Sequence, residues 1–124
     1  MKDKMVHIKY KEKEYPMIFT LNCMEEIQEK YGSMEAWMNE LGKKNEDGSK
    51  AEPSIKLLKF GLGLMINEAI DIENEDRPEN EKEPLVDDKT IGRIVTALGF
   101  TKTTNALTST VVASTETGEP EKNE

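Results

Sequence analysis

The stretch that decides the fold is Ser54-Ile55-Lys56-Leu57-Leu58-Lys59-Phe60-Gly61-Leu62-Gly63-Leu64-Met65-Ile66-Asn67-Glu68-Ala69-Ile70-Asp71-Ile72. Ser54 is a suitable N-cap, because its side-chain oxygen can accept a backbone N–H of the first turn. Apolar residues at helical spacing then form one face of an amphipathic helix: Ile55, Leu58, Leu62, Met65, Ile66, Ala69 and Ile70. Leu57, Phe60 and Leu64 lie off that face. We therefore predict a helix, from about Ser54 to Ile72, that is either central to the fold or covered on two sides by partners.

Two glycines interrupt this helix. Gly61 and Gly63 each lower helix propensity by about 1 kcal/mol relative to alanine. We expect them to permit the close approach of another backbone, or a local bend.

Upstream of the central helix, the pattern predicts a β-hairpin. Val6, Ile8 and Tyr10 alternate with polar residues, which is the period of a half-buried strand. The polar run at 11–14 is predicted to turn the chain. A second strand follows with alternating apolar residues, namely Tyr15, Met17, Phe19 and Leu21. It begins near Pro16 or exposes that side as an edge, because proline cannot donate a ladder hydrogen bond.

Two short helices are predicted between the hairpin and the central helix. The first is capped by Thr20 or Asn22 and stops at Gly32; the second is capped by Ser33 and stops at Gly42. Their apolar residues at helical spacing are Cys23 or Met24, Ile27, Tyr31, Met34, Trp37, Met38 and Leu41. Residues 42–53 contain no large apolar side chain and are predicted to be a mobile loop.

Downstream, residues 73–88 hold eight acidic and two basic side chains, a net charge of −6. This segment lacks the residue order of a calcium-binding loop and contains two prolines, so we predict a solvated, mobile loop at 73–86. Asp87 or Asp88 caps a last helix that ends at Gly99. The domain is predicted to span 1–112, with a short helical extension near Val111 and a disordered acidic tail at 113–124. The fold class is mainly α (α+β), with a small N-terminal β-hairpin packed on three to four short helices.

Composition narrows the function. The 124 residues carry 17 Lys+Arg against 25 Asp+Glu, a net charge of −8. That balance argues against binding to nucleic acid or to an anionic membrane, and no apolar run reaches the roughly 20 residues of a membrane span. With one histidine (His7), one cysteine (Cys23) and none of the common catalytic motifs, we predict a non-enzymatic cytoplasmic protein without cofactor or metal. His7 is predicted to face solvent and Cys23 to be a core thiol.

One alternative function is a small DNA-binding regulator. Residues 90–105 loosely resemble a helix-turn-helix, with Gly99 in the turn. Residues 89–112 contain Lys89, Arg93 and Lys102 and no acidic residue. A recognition helix usually presents Arg, Lys, Asn or Gln to base edges and phosphates. In the part of this region that follows the turn, only Lys102 and Asn105 are of these types.

The order of elements resembles the tail assembly chaperones of long-tailed bacteriophages and prophages. The similarity covers about 90 residues, from Tyr10 to Gly99, and is carried by residues 15–37 (YPMIFTLNCMEEIQEKYGSMEAW), 57–62 (LLKFGL) with Glu68, and 84–95 (PLVDDKTIGRIV). The acidic insertion at 73–83 is longer than the loop of that family. The resemblance implies a protein of the host bacterial cytoplasm that binds the tape measure protein, helps to recruit tail tube subunits, and is absent from the mature virion.

A partner surface can be proposed from the apolar residues that lie off the main apolar face of the central helix and from the largest residues of the second short helix. The candidates are Trp37, Met38, Leu57, Phe60 and Leu64. Such a surface fits an amphipathic helix of the client, or a second copy of the chain in a homo-oligomer. Methionine and aromatic residues at helical spacing are also ordinary core. If the surface reading holds, Trp37→Ala and Phe60→Ala leave the monomer folded and weaken association.

Overall fold

The computed structural model describes residues 4–43, 45–49 and 54–115. Its elements are β1 (Val6–Tyr10), β2 (Lys13–Met17), α1 (Leu21–Tyr31), α2 (Met34–Leu41), α3 (Ile55–Asn74), α4 (Asp88–Leu98) and α5 (Phe100–Thr115), with a 3-10 turn at Glu79–Glu81. The predicted fold class, mainly α with an N-terminal β-hairpin, is confirmed.

The helix α5 is longer than the predicted extension. It continues to Thr115, so residues 113–115, which were assigned to the tail, are helical. The rest of the predicted tail, 116–124, lies outside the described residues, as do 44 and 50–53 of the predicted loop. The described part of that loop has no helix or strand, and Asn45 N–H donates to Ser49 O at 2.7 Å.

The hairpin turn is tighter than predicted. The strands pair antiparallel with Val6 opposite Met17 and Tyr10 opposite Lys13, so the turn consists of Lys11 and Glu12 alone. Leu21 is not in the second strand, because the side chain of Thr20 caps α1 and Leu21 becomes its first helical residue, 79% exposed. Residues 15–19 are all buried, since the chain after the strand lies against α3, where Ile18 N–H donates to Met65 O at 3.2 Å.

Side chains cap four of the helices. The oxygens of Thr20, Ser33, Ser54 and Asp87 accept backbone N–H groups of α1, α2, α3 and α4 at 3.3, 3.0, 3.3 and 2.8 Å. Each such cap contributes about 1 kcal/mol. All four positions were among the predicted caps, and they fix where the helices begin.

The helix α3 lies at the centre of the core and contacts β2 and the other four helices. Its buried residues are Leu57, Leu58, Gly61, Leu62, Met65, Ile66, Ala69 and Ile70. Ile55, predicted on the main face, is 47% exposed, whereas Leu57, predicted off it, is buried. The strand β2 and the other four helices of the same chain therefore cover α3 on more than one side.

Gly61 marks a close approach, but of a side chain rather than a backbone. A Cβ at this position would lie 2.6 Å from Cζ2 of Trp37 and 3.3 Å from Cδ2 of Leu107. Because Trp37 and Leu107 are fully buried, neither can move away freely. A Cβ at Gly63 would meet Ile91 at an ordinary 3.5 Å.

This difference predicts opposite effects for the same substitution. Gly61→Ala should lower the free energy of unfolding by about 1–3 kcal/mol, because overpacking outweighs the gain in helix propensity. Gly63→Ala, the matched control, should raise it by up to about 1 kcal/mol. Urea unfolding followed by circular dichroism measures both. A Gly61→Ala protein as stable as the parent would contradict the close packing of Trp37 on α3.

Candidate functional site

The structure separates the five predicted partner-binding residues. Trp37 and Leu57 are 0% and 3% exposed and belong to the core. Their assignment to a partner surface is corrected, since both side chains lie in the single hydrophobic core to which the hairpin and all five helices contribute. Met38, Phe60 and Leu64 are half-buried and pack against that core.

Phe60 and Leu64 line a groove beside α3, and Met38 does not. The groove, here called the α3 groove, has a volume of about 330 Å³. Its lining consists of Glu26, Phe60, Gly63, Leu64, Asn67, Glu68, Asp71 and Leu85. Leu85 is 54% exposed and was not among the predicted site residues. The signal that could have revealed it is the apolar pair Leu85-Val86 inside an otherwise acidic segment.

The ring of Phe60 is held in place from two sides. Tyr31 meets it edge-on, with ring centroids 5.7 Å apart and planes at 69°. Nζ of Lys30 lies 4.7 Å from its centroid, within cation–π range. Both neighbours come from the last turn of α1, so α1 fixes one wall of the groove.

The other wall is a strap, residues 83–86, that two asparagines of α3 hold in place. Asn67 Nδ2 donates to Val86 O at 3.1 Å, and Val86 N–H donates to Asn67 Oδ1 at 2.8 Å. Asn74 makes the same pair of bonds with Glu83, each at 2.9 Å. The two asparagines are seven residues apart and therefore lie on one face of α3. The predicted solvated loop thus has defined partners where it borders the groove.

Carboxylates rim the groove on the side toward the N-terminus of α1. Glu26, Glu68 and Asp71 line it, and Glu68 is oriented by two donors. Thr20 Oγ1 donates to Glu68 Oε2 at 2.6 Å, and Asn22 Nδ2 donates to the same oxygen at 3.3 Å. Since Thr20 also caps α1, one hydroxyl ties the rim to the start of that helix.

Cations lie at the opposite end. Lys30, Lys56, Lys59 and Asp88 surround a neighbouring depression that shares Phe60 with the α3 groove. Lys59 Nζ is 2.7 Å from Asp88 Oδ2, so one of these charges is already paired. The groove therefore combines an apolar centre, an acidic side and a basic end, which is the pattern that an amphipathic helix of complementary charge would match.

Cys23 and His7, the two residues considered for catalysis, lie in different environments. Cys23 is buried, as predicted, and burial raises the pKa of its thiol, against smaller lowering by the hydrogen bonds with Thr20. A raised pKa disfavours the nucleophilic thiolate. His7 is exposed on β1. Within 4–43, 45–49 and 54–115, no three His, Cys, Asp or Glu side chains converge as metal ligands would.

The region of the alternative DNA-binding hypothesis has a shorter turn than expected. Gly99 alone separates α4 from α5, whereas helix-turn-helix motifs use a turn of three or four residues. The face of α5 that carries Thr103, Leu107 and Thr110 is buried. Lys102 and Asn105 are exposed.

No helix in the described part of the chain has both the length and the apolar character needed to cross a bilayer. Comparisons of the chain with protein-family models, with curated proteins and with solved structures found no match.

Proposed function

We propose that this protein is a tail assembly chaperone of a long-tailed phage or prophage, and that its α3 groove binds the tape measure protein. The observation that carries the proposal is the groove itself, in which Phe60, Leu64 and Leu85 remain partly exposed between ordered walls. The resemblance of residues 10–99 to that chaperone family supports the same role.

The dimensions of the groove suit one helical segment of a client. Phe60 and Leu64 are four residues apart on α3 and present one apolar stripe. From Phe60 to Asp71 the helix rises about 16 Å, or roughly three turns. A client helix of similar length can place two or three apolar side chains between this stripe and Leu85. Tape measure proteins are long and helical, and they expose many such stripes before the tail tube covers them.

The charges around the groove define which client helices fit best. Glu26, Glu68 and Asp71 favour lysine or arginine beside the apolar stripe of the client. The high net negative charge of the chaperone, −8, would keep the complex dispersed while the client is covered. Recruitment of tail tube subunits is part of the same proposal.

The test is co-expression with the long coiled-coil protein expected to be encoded immediately downstream. Leu64→Ser and Leu85→Ser should each weaken client binding about five- to tenfold and lower the soluble fraction of the client, because truncating an interface anchor costs more than 1 kcal/mol. Leu21→Ser is the matched control, since Leu21 is 79% exposed and lies outside the groove. Circular dichroism verifies that all three variants are folded. Full client solubility with both groove variants would refute the proposal, as would the absence of any such neighbouring gene.

The DNA-binding regulator remains the second candidate, on the strength of the three cations of residues 89–102. A mobility-shift assay with duplex DNA at moderate salt separates the two functions. The chaperone proposal expects no shift, and the regulator expects one that Arg93→Glu removes.

A further inference from the structure

A second apolar depression lies on the side of α3 that faces α4. Its six lining residues are Ile55, Gly92, Val95, Thr96, Gly99 and Phe100, and its volume is about 360 Å³. Ile55 and Phe100 are 47% and 39% exposed, although both are large and apolar. We call these six residues the α4 patch; the α3 groove shares none of them.

The α4 patch offers no free side-chain hydrogen-bond donor to a ligand in its centre. Of its six residues, Thr96 alone has a polar side chain, and its Oγ1 already donates to Gly92 O at 2.9 Å. The missing side chain at Gly92 keeps the depression open. The centre of the patch therefore suits an apolar side chain rather than a phosphate or a base edge.

Cations are close in sequence to the residues of the patch. Lys89, Gly92, Arg93 and Thr96 follow helical spacing on α4 and share one face. In α3, Lys56 follows Ile55, and Lys59 Cε lies 3.5 Å from the position that a Cβ of Gly92 would take; in α5, Lys102 is two residues after Phe100. With Lys89 and Arg93 these make five cations, which stand against Asp87 and Asp88, a local charge of +3. Asp88 is paired with Lys59, and Asp87 caps α4 by accepting from Thr90 N–H at 2.8 Å. No acidic residue occurs from 89 to 115.

We propose that the α4 patch is a second interaction surface, which binds an acidic segment of another protein. An apolar side chain of that segment fills the depression between Ile55 and Phe100. Its carboxylates lie against Arg93, Lys89 and Lys102. The local charge identifies the partner. A region of charge +3 attracts an acidic protein segment. The chain as a whole has a net charge of −8, so the rest of the molecule repels nonspecific polyanions.

The experiment measures the binding of fluorescent synthetic peptides to the full chain by anisotropy. The probe is a helical peptide with leucines spaced three and four residues apart and glutamates on its other face. One control peptide replaces the glutamates by lysine, and a second replaces the leucines by alanine. We expect the acidic, leucine-bearing peptide to bind at least tenfold more tightly than either control.

Two variants locate the site. Arg93→Glu reverses an exposed charge of the rim, and Gly92→Leu fills the depression. A Cβ at Gly92 meets Lys59 Cε at an ordinary 3.5 Å, so the position accepts a β-carbon without a clash. Each variant should weaken binding about tenfold, equivalent to about 1.4 kcal/mol. Lys43→Glu, an exposed charge reversal in the loop after α2, and Leu64→Ser in the α3 groove should bind as the parent does.

Several results would overturn the inference. Equal binding of the alanine peptide would show a purely ionic contact, and loss of binding in Leu64→Ser would assign the peptide to the α3 groove. A complex with duplex DNA that Arg93→Glu abolishes would assign the patch to nucleic acid. Self-association of the parent that Gly92→Leu disperses, seen by light scattering, would assign it to a second copy. These readouts are independent of client solubility, so this inference and the chaperone proposal can fail separately.

Discussion

Replacing Trp37 by alanine is expected to lower the free energy of unfolding by about 3–5 kcal/mol. Trp37 is fully buried, and its ring fills the space above Gly61 on α3. Alanine would leave a cavity that Leu107 and the backbone of α3 can only partly close. This expectation follows the core interpretation left open by the sequence and not the surface interpretation, in which Trp37→Ala leaves the monomer folded and weakens association.

A graded variant separates packing from polarity. Trp37 Nε1 is buried with no hydrogen-bond partner in the described structure, so Trp37→Phe removes an unsatisfied donor as well as ring volume. It should therefore cost clearly less than Trp37→Ala. Urea unfolding is followed by far-UV circular dichroism, because Trp37 is the single tryptophan and its fluorescence is lost in both variants. If Trp37→Ala unfolds at the parent's urea midpoint, the core described here is wrong.

Leu62→Asp should prevent folding under conditions in which Leu64→Asp still folds. Leu62 is 0% exposed in the core, and an unpaired carboxylate buried there costs several kcal/mol, a large share of the 5–15 kcal/mol that stabilises an ordinary domain. Leu64 is two residues away and half-buried at the α3 groove, where the new carboxylate can reach water.

The pair is compared by circular dichroism and by client co-expression. Leu62→Asp should lose the helical spectrum, whereas Leu64→Asp should keep it and lose client binding. A helical Leu62→Asp protein would place this face of α3 outside the core. An unfolded Leu64→Asp protein would show that the groove wall is instead part of it.

Local chemistry explains why the helices could be predicted. Ser33, Ser54 and Thr20 are each followed by apolar residues at helical spacing, and each accepts the N–H three residues later, as the cap rule requires. Gly32 and Gly99 end α1 and α4 with φ of +93° and +86°, a region that favours glycine. These signals depend on neighbouring residues and so can be read from the sequence.

The position of Leu57 shows what the periodicity of apolar residues cannot predict. Periodicity identifies apolar faces of a helix, but it does not tell whether a second face meets the same chain or a partner. Since β2 and all four other helices contact α3, the face of Leu57 is covered internally, while that of Leu64 is left partly open. That division depends on how many elements surround α3, which is a property of the whole fold. The extra helix α5, whose Leu107 reaches Gly61, contributes to it.

The strap was missed for a related reason. Asn67 and Asn74 are polar residues of a kind common on any exposed helix face, and their roles depend on meeting Val86 and Glu83 nine or more residues later. Nothing in the spacing of the asparagines indicates that their amides pair with a backbone. The end of the second strand was predicted too late, because the alternation of apolar residues continues to Leu21 in the sequence, whereas β2 ends at Met17 and Thr20 caps α1.

The closure of the acidic segment by Asn74 has an evolutionary consequence. Asn74 bonds Glu83 through its side chain, and its own carbonyl accepts from Lys82 Nζ at 3.0 Å, so residues 75–82 leave α3 and return to the same point. Doubling the length of a flexible loop costs only about 0.6 kcal/mol when its ends stay fixed. Insertions and deletions between these anchors are therefore expected to be nearly neutral for the α3 groove. This permissiveness makes residues 75–82 the natural place to insert an epitope or a fluorophore.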